Sequence, residues 1–287
     1  MKLKTVAFLV LGLVVMAVPA FAEAPEYEEF VVSIPNEGRM IPATVCLPIR
    51  AGTDTYPAVV MLHGTGSNRE EAGNGYAMLA PYMAENGIAS IRIDFAGSGE
   101  SKADYVEYTW QSGASDAYAA ADFMTKLAAV DPDRIGIMGW SQGGSVAILA
   151  ASRYSIFKGL LTWAGALDMK DYFAPLYDEA KANGFAKATF EWRAPLNLSL
   201  QWFNDANNID LRKALKNFFG PVLAIAGTDD EVVPLSDLDD ILASVSSKDK
   251  AKLLIPGADH TFRVFTGDLT KYTELKEATT AWFLEKL

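Results

Sequence analysis

Six short, almost uninterrupted apolar runs constrain this chain more than any other feature of its sequence. From the N-terminus they are PAVVMLHG, IASIRIDFAG, RIGIMGWS, GLLTWAG, PVLAIAG and KLLIPGA. Such runs are typical of strands buried on both faces of a parallel sheet. Because helix-like segments separate them, the sequence predicts an α/β fold: a mostly parallel sheet with helices on both faces and functional loops at the carboxyl ends of the strands.

Two stretches depart from this alternation. EEFVVSIP and RMIPATVCLP flank the turn composition Asn36-Glu37-Gly38, which predicts an opening β-hairpin. Residues 167–219 contain no strand-like run and are rich in aromatic side chains. Roughly fifty residues are too many for an ordinary connection, so we expect a helical cap inserted at about 167–219. Most of its aromatic side chains are expected to form the core of the cap.

The first 22 residues have the pattern of a secretory signal peptide. Two lysines precede an apolar run from Val6 to Val18, and an AFA cleavage pattern stands before Glu23. An apolar run of this length is short for a membrane span. We therefore expect export to a bacterial periplasm or to the medium, with one α/β domain at residues 23–287 and no stable membrane association after cleavage.

Charge and composition argue against several kinds of partner. The net charge is −11 and there is no basic run, which argues against nucleic acid or an anionic membrane surface as a partner. Cys46 is the single cysteine, so no internal disulfide forms, and we expect it to be buried. Two histidines in separate motifs provide no zinc site, and no metal or organic cofactor is expected. The sequence does not specify an oligomeric state.

A serine flanked by glycines stands between the third apolar run and a helix-like segment. It is Ser141, in the pentapeptide GWSQG. A strand that turns into a helix within two residues strains the serine backbone and needs small neighbours. The start of the helix directs its backbone N–H groups towards the serine. A chance GxSxG in a loop would lack the buried strand before it and the SVAILAA helix after it, so the context favours a nucleophile.

A serine nucleophile needs a base, and the chain offers two histidines. His63 begins the segment HGTGS, and His260 lies in GADHT near the C-terminus. The chain order of nucleophile, acid and histidine that accompanies such a turn selects His260. His63 is expected to hold its own loop, with the backbone N–H of Thr65 directed at the site. The acid is expected within TDDEVVP, where three adjacent carboxylates occur and spacing alone does not choose between them.

The motifs HGTGS, DFAGSGES, GWSQGG, GTDDEVVP and GADHTF occur in the order found in serine esterases of the α/β-hydrolase fold. Over residues 28–287 the chain most resembles the bacterial cinnamoyl/feruloyl esterase branch, which carries an inserted cap of similar length. The resemblance implies Asp230 as the acid, with Asp229 as the alternative. It also implies the backbone N–H groups of Thr65 and Gln142 as the oxyanion hole.

The resemblance further implies hydrolysis of carboxylic esters through an acyl-enzyme. The implied substrates are small aryl esters of hydroxycinnamoyl or feruloyl type, derived from plant cell walls. Asp171 in the cap and Trp140 beside the nucleophile are the implied substrate-binding residues. The branch more often has histidine at position 140, and Trp140 is expected to alter packing rather than chemistry.

Other activities remain open on the sequence. One is a general short-chain acyl esterase, and another is a small aminopeptidase-like hydrolase. A dienelactone-hydrolase-like enzyme would normally have cysteine where this chain has Ser141. A peptidase of the prolyl oligopeptidase type shares this catalytic domain, but the chain is too short for the propeller of those enzymes. A binding protein on the same fold would be expected to lack a member of the triad.

Overall fold

The computed structural model describes residues 26–49 and 55–287, so the predicted signal peptide lies outside the described residues. Within these ranges the strands are β1 (Tyr27–Asn36), β2 (Arg39–Pro48), β3 (Tyr56–Leu62), β4 (Ala89–Ile93), β5 (Val130–Trp140), β6 (Phe157–Trp163), β7 (Phe185–Ala188), β8 (Leu196–Ser199), β9 (Val222–Gly227) and β10 (Lys250–Ile255). Eight of them form the main sheet in the order β1-β2-β4-β3-β5-β6-β9-β10. From β4 to β10 neighbouring strands are parallel.

The α-helices of the described ranges are α1 (Gly75–Glu85), α2 (Trp110–Met124), α3 (Gln142–Arg153), α4 (Met169–Phe173), α5 (Tyr177–Asn183), α6 (Leu200–Asn208), α7 (Leu211–Leu215), α8 (Leu235–Ser244) and α9 (Thr270–Lys286). Short 3-10 helices occur at Ala72–Asn74, Tyr105–Glu107 and Ala174–Leu176. Within this part of the chain no helix is both long and apolar enough to cross a membrane.

The sheet separates two apolar cores, as the apolar runs of its central strands predict. The run KLLIPGA is an exception, because it forms the edge strand β10, in which only Ile255 is fully buried. Along β3, Val59 and Met61 enter the core that contains α1 and α9, whereas Val60 and Leu62 enter the core of α2, α3 and α8. Successive side chains of a strand point to opposite faces, so a strand covered on both sides needs apolar residues at every position. The predicted α/β-hydrolase fold, a mostly parallel sheet with helices on both faces, is confirmed.

The predicted opening hairpin is also confirmed. β1 and β2 pair antiparallel with Asn36 opposite Arg39, and Glu37 and Gly38 form the turn with φ of 47° and 80°. A positive φ at two successive positions suits a two-residue hairpin loop, and glycine adopts it without strain. The hairpin joins the sheet through β2, which runs antiparallel to β4. Cys46 in β2 is a free, buried thiol.

The inserted cap differs from the prediction. Helices α4, α5, α6 and α7 lie between β6 and β9, but β7 and β8 add a two-stranded antiparallel sheet that the sequence did not predict. In β7, Ala186 and Ala188 are buried while Phe185 and Lys187 are exposed. A strand of four residues with alanine on its buried side gives too weak an alternation to be recognised from sequence. Of the cap aromatics, Trp202 and Phe203 are buried, whereas Trp192 is 65% exposed.

Candidate active site

Ser141 stands at the turn between β5 and α3, at the carboxyl edge of the sheet. Its backbone has φ of 55° and ψ of −121°, a conformation that residues other than glycine rarely adopt. The Ser141 N–H donates to the Trp163 carbonyl at 2.9 Å and holds the turn against β6. A Cβ at Gly139 would overlap the Gly143 carbonyl, and a Cβ at Gly143 would overlap the Leu62 carbonyl. The two glycines are therefore what lets strand and helix meet closely enough to expose the serine.

His260, after β10, faces Asp230, after β9. The imidazole Nδ1 lies 2.9 Å from Asp230 Oδ2. The Asp230 side chain is fully buried, and its Oδ1 accepts the backbone N–H groups of Val232 at 2.8 Å and Val233 at 2.9 Å. The side chain of Asp229, by contrast, is 55% exposed. Of the two aspartates left open by the sequence, Asp230 is the one placed against the imidazole.

Trp140 lies beneath the site and is 2% exposed. Its indole N–H donates to the His260 carbonyl at 3.1 Å, and its ring packs against Tyr76, Trp163 and Phe262. The substrate contact implied for Trp140 finds no support, because other aromatic rings cover the indole. The side chain supports the backbone of His260 instead.

The loop that follows β3 passes beside the nucleophile. A Cβ built on Gly64 would lie 3.4 Å from the Ser141 Cβ, an ordinary contact distance. Thr65 is the next residue of this loop, and Gln142 is the first residue of α3, where a backbone N–H has no acceptor within the helix. The structure thus places both predicted oxyanion residues on segments that adjoin Ser141.

His63 connects this loop to the segment that follows β4, in agreement with the structural role predicted for it. Its Nε2 accepts the Phe95 N–H at 3.2 Å, and its Nδ1 lies 2.8 Å from the Gly64 carbonyl. The two contacts fit one neutral tautomer, in which Nδ1 donates and Nε2 accepts. Burial lowers the pKa of His63 to about 4, so the ring stays neutral at physiological pH. With both nitrogens engaged, His63 is not available as a base.

Glu71 is a carboxylate at the site that sequence reasoning missed. It is 8% exposed. Its Oε2 accepts the Gly64 N–H at 2.6 Å, and its Oε1 accepts the Ala72 N–H at 3.0 Å. Burial raises the pKa of Glu71 to about 7. The carboxylate fixes the loop that carries Thr65, but in sequence it belongs to the charged run REE, which resembles solvated surface.

The cap contributes a different side chain from the one the sequence implied. Asp171 lies exposed in α4, and among the described residues its side chain has no hydrogen bond or ion pair with the site. Arg193, between β7 and β8, reaches the loop after β3 and donates from Nη1 to the Gly66 carbonyl. Gly66 directly follows Thr65, so this cationic residue of the cap binds the residue next to a predicted oxyanion donor. The described residues contain no group of three or more His, Cys, Asp or Glu side chains that could hold a metal ion.

A family model for the prolyl oligopeptidase family matches residues 75–287, which include Ser141, Asp230 and His260. The chain belongs to this family. Prolyl oligopeptidase family members are serine hydrolases of the α/β-hydrolase fold, and the matched region contains both the strained serine and the His260–Asp230 pair. The chain is therefore related to these peptidases, although the sequence analysis found it too short to contain their propeller.

Three known proteins are similar to this chain. The 2,6-dihydropseudooxynicotine hydrolase of Paenarthrobacter nicotinovorans is 29% identical over 253 residues, covering 85% of this chain and 61% of that enzyme, so the chain spans about three fifths of its relative. Est1E from Butyrivibrio proteoclasticus, solved with ferulic acid bound, has a TM-score of 0.72 and 22% identity over 89% of this chain and 98% of that one. A puromycin-hydrolyzing peptidase of Mycobacterium tuberculosis has a TM-score of 0.72 and 21% identity over 94% of this chain and 41% of that one. The two structures establish the fold.

Proposed function

We propose that this protein is a serine esterase that cleaves small carboxylic esters through an acyl-enzyme. The observation that carries the proposal is the buried Asp230 carboxylate 2.9 Å from His260 Nδ1, at the same sheet edge as the strained Ser141. A carboxylate in this place orients the imidazole and stabilises it once protonated. The tautomer it selects leaves Nε2 free to accept the serine proton.

The reaction follows from these positions. His260 Nε2 takes the Ser141 proton as Oγ attacks the ester carbonyl, and the tetrahedral oxyanion is held by the N–H groups of Thr65 and Gln142. Each such donor typically stabilises the transition state by about 3 kcal/mol. His260 then protonates the departing alcohol, leaving an acyl group on Ser141. Water attacks this acyl-enzyme with His260 again acting as base, and the acid is released.

For the substrate we favour aryl esters of the hydroxycinnamoyl or feruloyl type. Two observations support this choice: Est1E, with the same fold over nearly its whole length, was solved with ferulic acid, and the cap of the present chain is aromatic. In the cap, Phe173 contacts both Trp202 and Phe190, with ring centroids 5.3 Å and 6.3 Å apart. Aromatic rings of this kind suit a planar acyl group. A general short-chain acyl esterase is the alternative if the cap rings serve only as a core.

A second candidate is an aminopeptidase-like activity. It is favoured by the family itself and by the fold shared with the puromycin-hydrolyzing peptidase. Ester and amide hydrolysis use the same triad, so the distinction depends on the substrate pocket rather than on Ser141.

Initial rates on methyl ferulate, p-nitrophenyl butyrate and an aminoacyl-nitroanilide test the proposal, with Ser141→Ala and His260→Ala measured alongside. We expect ester hydrolysis by the wild-type protein and a loss of at least roughly 1,000-fold in either variant, because each removes a member of the triad. Circular dichroism spectra should remain unchanged. Faster cleavage of the nitroanilide would favour the peptidase. Near-wild-type rates in a pure variant, or failure of Ser141 to react with a fluorophosphonate probe, would contradict the triad.

We also propose that the protein is exported. Support comes from the basic, apolar and small-residue pattern of residues 1–22 alone. N-terminal sequencing of the native protein should begin near Glu23, and a start at Met1 would contradict export by this signal.

A further inference from the structure

Arg193 has no aspartate or glutamate partner among the described residues, a condition that it shares with Arg134, which donates to the Leu287 carbonyl, and with the exposed Arg153. Each of five others lies within 4 Å of an aspartate or glutamate: Arg39, Arg69, Arg92, Arg212 and Arg263. Arg193 is half-buried, and among the described residues its hydrogen bonds go to two backbone carbonyls, those of Gly66 and Ala194. In a chain with 36 acidic residues and a net charge of −11, an uncompensated guanidinium at the site is unexpected.

Leaving a partly buried cation without a counter-ion costs free energy. Removal from water lowers the pKa of Arg193, the direction expected when no carboxylate stabilises the charged form. Of the guanidinium N–H groups, Nε–H and one N–H of Nη1 are used by the two carbonyls, and Nη2 has no acceptor among the described residues. The planar fork of an arginine is suited to binding a carboxylate through two parallel hydrogen bonds.

The ionisable side chains that interact with the charge of Arg193 are Tyr105 and His63, and both are neutral at physiological pH. Tyr105 is buried next to Gly66 and the Gln142 side chain, and its pKa is raised to about 12 by burial, so it remains a hydroxyl donor. Although these groups are neighbours, neither the Tyr105 hydroxyl nor Gln142 Oε1 makes a well-formed hydrogen bond within the described part of the chain. Buried polar groups in this condition are normally satisfied by water or by a ligand.

Gly66 fits this arrangement. Its backbone has φ of 64°, and a Cβ on it would overlap the Arg193 guanidinium. The guanidinium therefore occupies space that any other residue at position 66 would fill. Gly66 directly follows Thr65, so a group bound by Arg193 would lie beside the loop that carries a predicted oxyanion donor.

We propose that Arg193, with the Tyr105 hydroxyl, forms an anion subsite, and that the preferred esters of this enzyme carry a carboxylate a few bonds from the scissile carbonyl. A short dicarboxylic half-ester, or an ester whose alcohol bears a carboxylate, is of this kind. The proposal deepens the proposed esterase function and rests on it. It assigns the cap a role in selecting charged substrates, in addition to its aromatic packing.

Two matched substrate pairs test the subsite. The first is monomethyl glutarate against methyl pentanoate, with the charge in the acyl part. The second is 4-(butanoyloxy)benzoate against 4-(butanoyloxy)benzamide, with the charge in the alcohol part. We expect the wild-type kcat/KM to favour the anionic member of at least one pair about tenfold or more.

Arg193→Met should lower the ratio of anionic to neutral kcat/KM for that pair at least about tenfold, while Arg193→Lys should retain part of the preference. Lys187→Met is the matched control, because it removes an exposed positive charge from the same cap and should change neither ratio. Retained hydrolysis of the neutral ester shows that each variant is folded. Equal anionic-to-neutral ratios in the wild type and in Arg193→Met would overturn the proposal.

Calorimetric titration with glutarate separates this inference from the esterase activity. Glutarate should bind the wild-type protein and bind Arg193→Met at least about tenfold more weakly. If the wild type hydrolysed none of the esters but showed this difference in binding, the esterase proposal would fail and the anion subsite would stand. If neutral esters were hydrolysed and glutarate bound both proteins equally or not at all, the subsite would be wrong and the esterase proposal would stand.

Discussion

Glu71 is a buried ionisable residue that binds the backbone of the loop adjoining Ser141. Its two oxygens accept N–H groups from Gly64 and Ala72, and its own backbone has a φ of 63°. A non-glycine residue at positive φ is held there by its surroundings, here by these two hydrogen bonds. His260 is close enough for its charge to act on the carboxyl group. The loop geometry therefore depends on the protonation state of one buried side chain.

Glu71→Gln should change the pH dependence of stability. The folded-state pKa of Glu71, about 7, lies above its ordinary value of 4.5, so folding favours the protonated form. The contribution of Glu71 to stability is then fully present below about pH 4.5 and is lost as the pH rises through 7. We expect the free energy of unfolding of the wild type, relative to the variant, to fall by roughly 3 kcal/mol between pH 4.5 and 8.

Urea denaturation of both proteins at several pH values measures this difference. The exposed carboxylate Glu231, changed to glutamine, serves as the control and should show no comparable change with pH. If the difference in the free energy of unfolding between the wild type and Glu71→Gln stayed constant from pH 4.5 to 8, the raised pKa of Glu71 would be contradicted.

The turn from β5 into α3 joins Ser141 to the central sheet. α3 begins one residue after Ser141, and Gly143 in its first turn lies against the end of β3. The helix start therefore cannot move away from the strand without moving the serine. This close approach ties the catalytic geometry to the packing of two central strands.

Gly143→Ala should destabilise the protein by more than about 3 kcal/mol, because the added methyl group would overlap the Leu62 carbonyl and backbone cannot yield as a side chain does. Esterase activity should fall with it. Gly159→Ala in β6 is the matched control, since the nearest atom to its Cβ lies at 3.4 Å, and it should cost less than about 1 kcal/mol. Denaturant unfolding compares the two, and equal stabilities would contradict the steric account.

Arg69 connects the loop after β3 to two other segments of the chain. It forms an ion pair with Asp94, whose side chain is fully buried, and a second one with Glu100 at 2.8 Å. Its Nε donates to the Thr44 hydroxyl in β2 at 2.9 Å. Three segments distant in sequence are thus joined beside the site through one guanidinium.

Arg69→Met should lower the free energy of unfolding by about 3–5 kcal/mol, because it leaves the buried Asp94 carboxylate without its counter-ion. Lys126→Met, which breaks the exposed pair with Asp122, should cost less than about 1 kcal/mol. Thermal and urea unfolding provide the measurement. A small effect at Arg69 would mean that the network is not a major source of stability.

Local sequence patterns predicted the fold, which the structure confirms, and pointed to Ser141 as the proposed nucleophile. Continuous apolar runs mark strands buried on both faces, and a glycine-flanked serine between strand and helix marks a strained turn; both signals are local and survive in a single chain. The short strand β7 was not predicted, because a four-residue strand whose buried side chains are alanines shows little hydrophobic alternation. Chain order alone also selected His260 over His63 as the candidate base.

Which polar groups lie at the site depends on contacts that exist only in the folded chain. Asp229 and Asp230 are indistinguishable in the sequence, and burial against His260 separates them. Glu71 belongs to a run of charges that looks solvated, and Arg193 follows an exposed tryptophan in an unremarkable cap loop. Each acquires its role from contacts with residues far away along the chain. Burial and charge pairing depend on three-dimensional neighbours, which local sequence patterns do not encode.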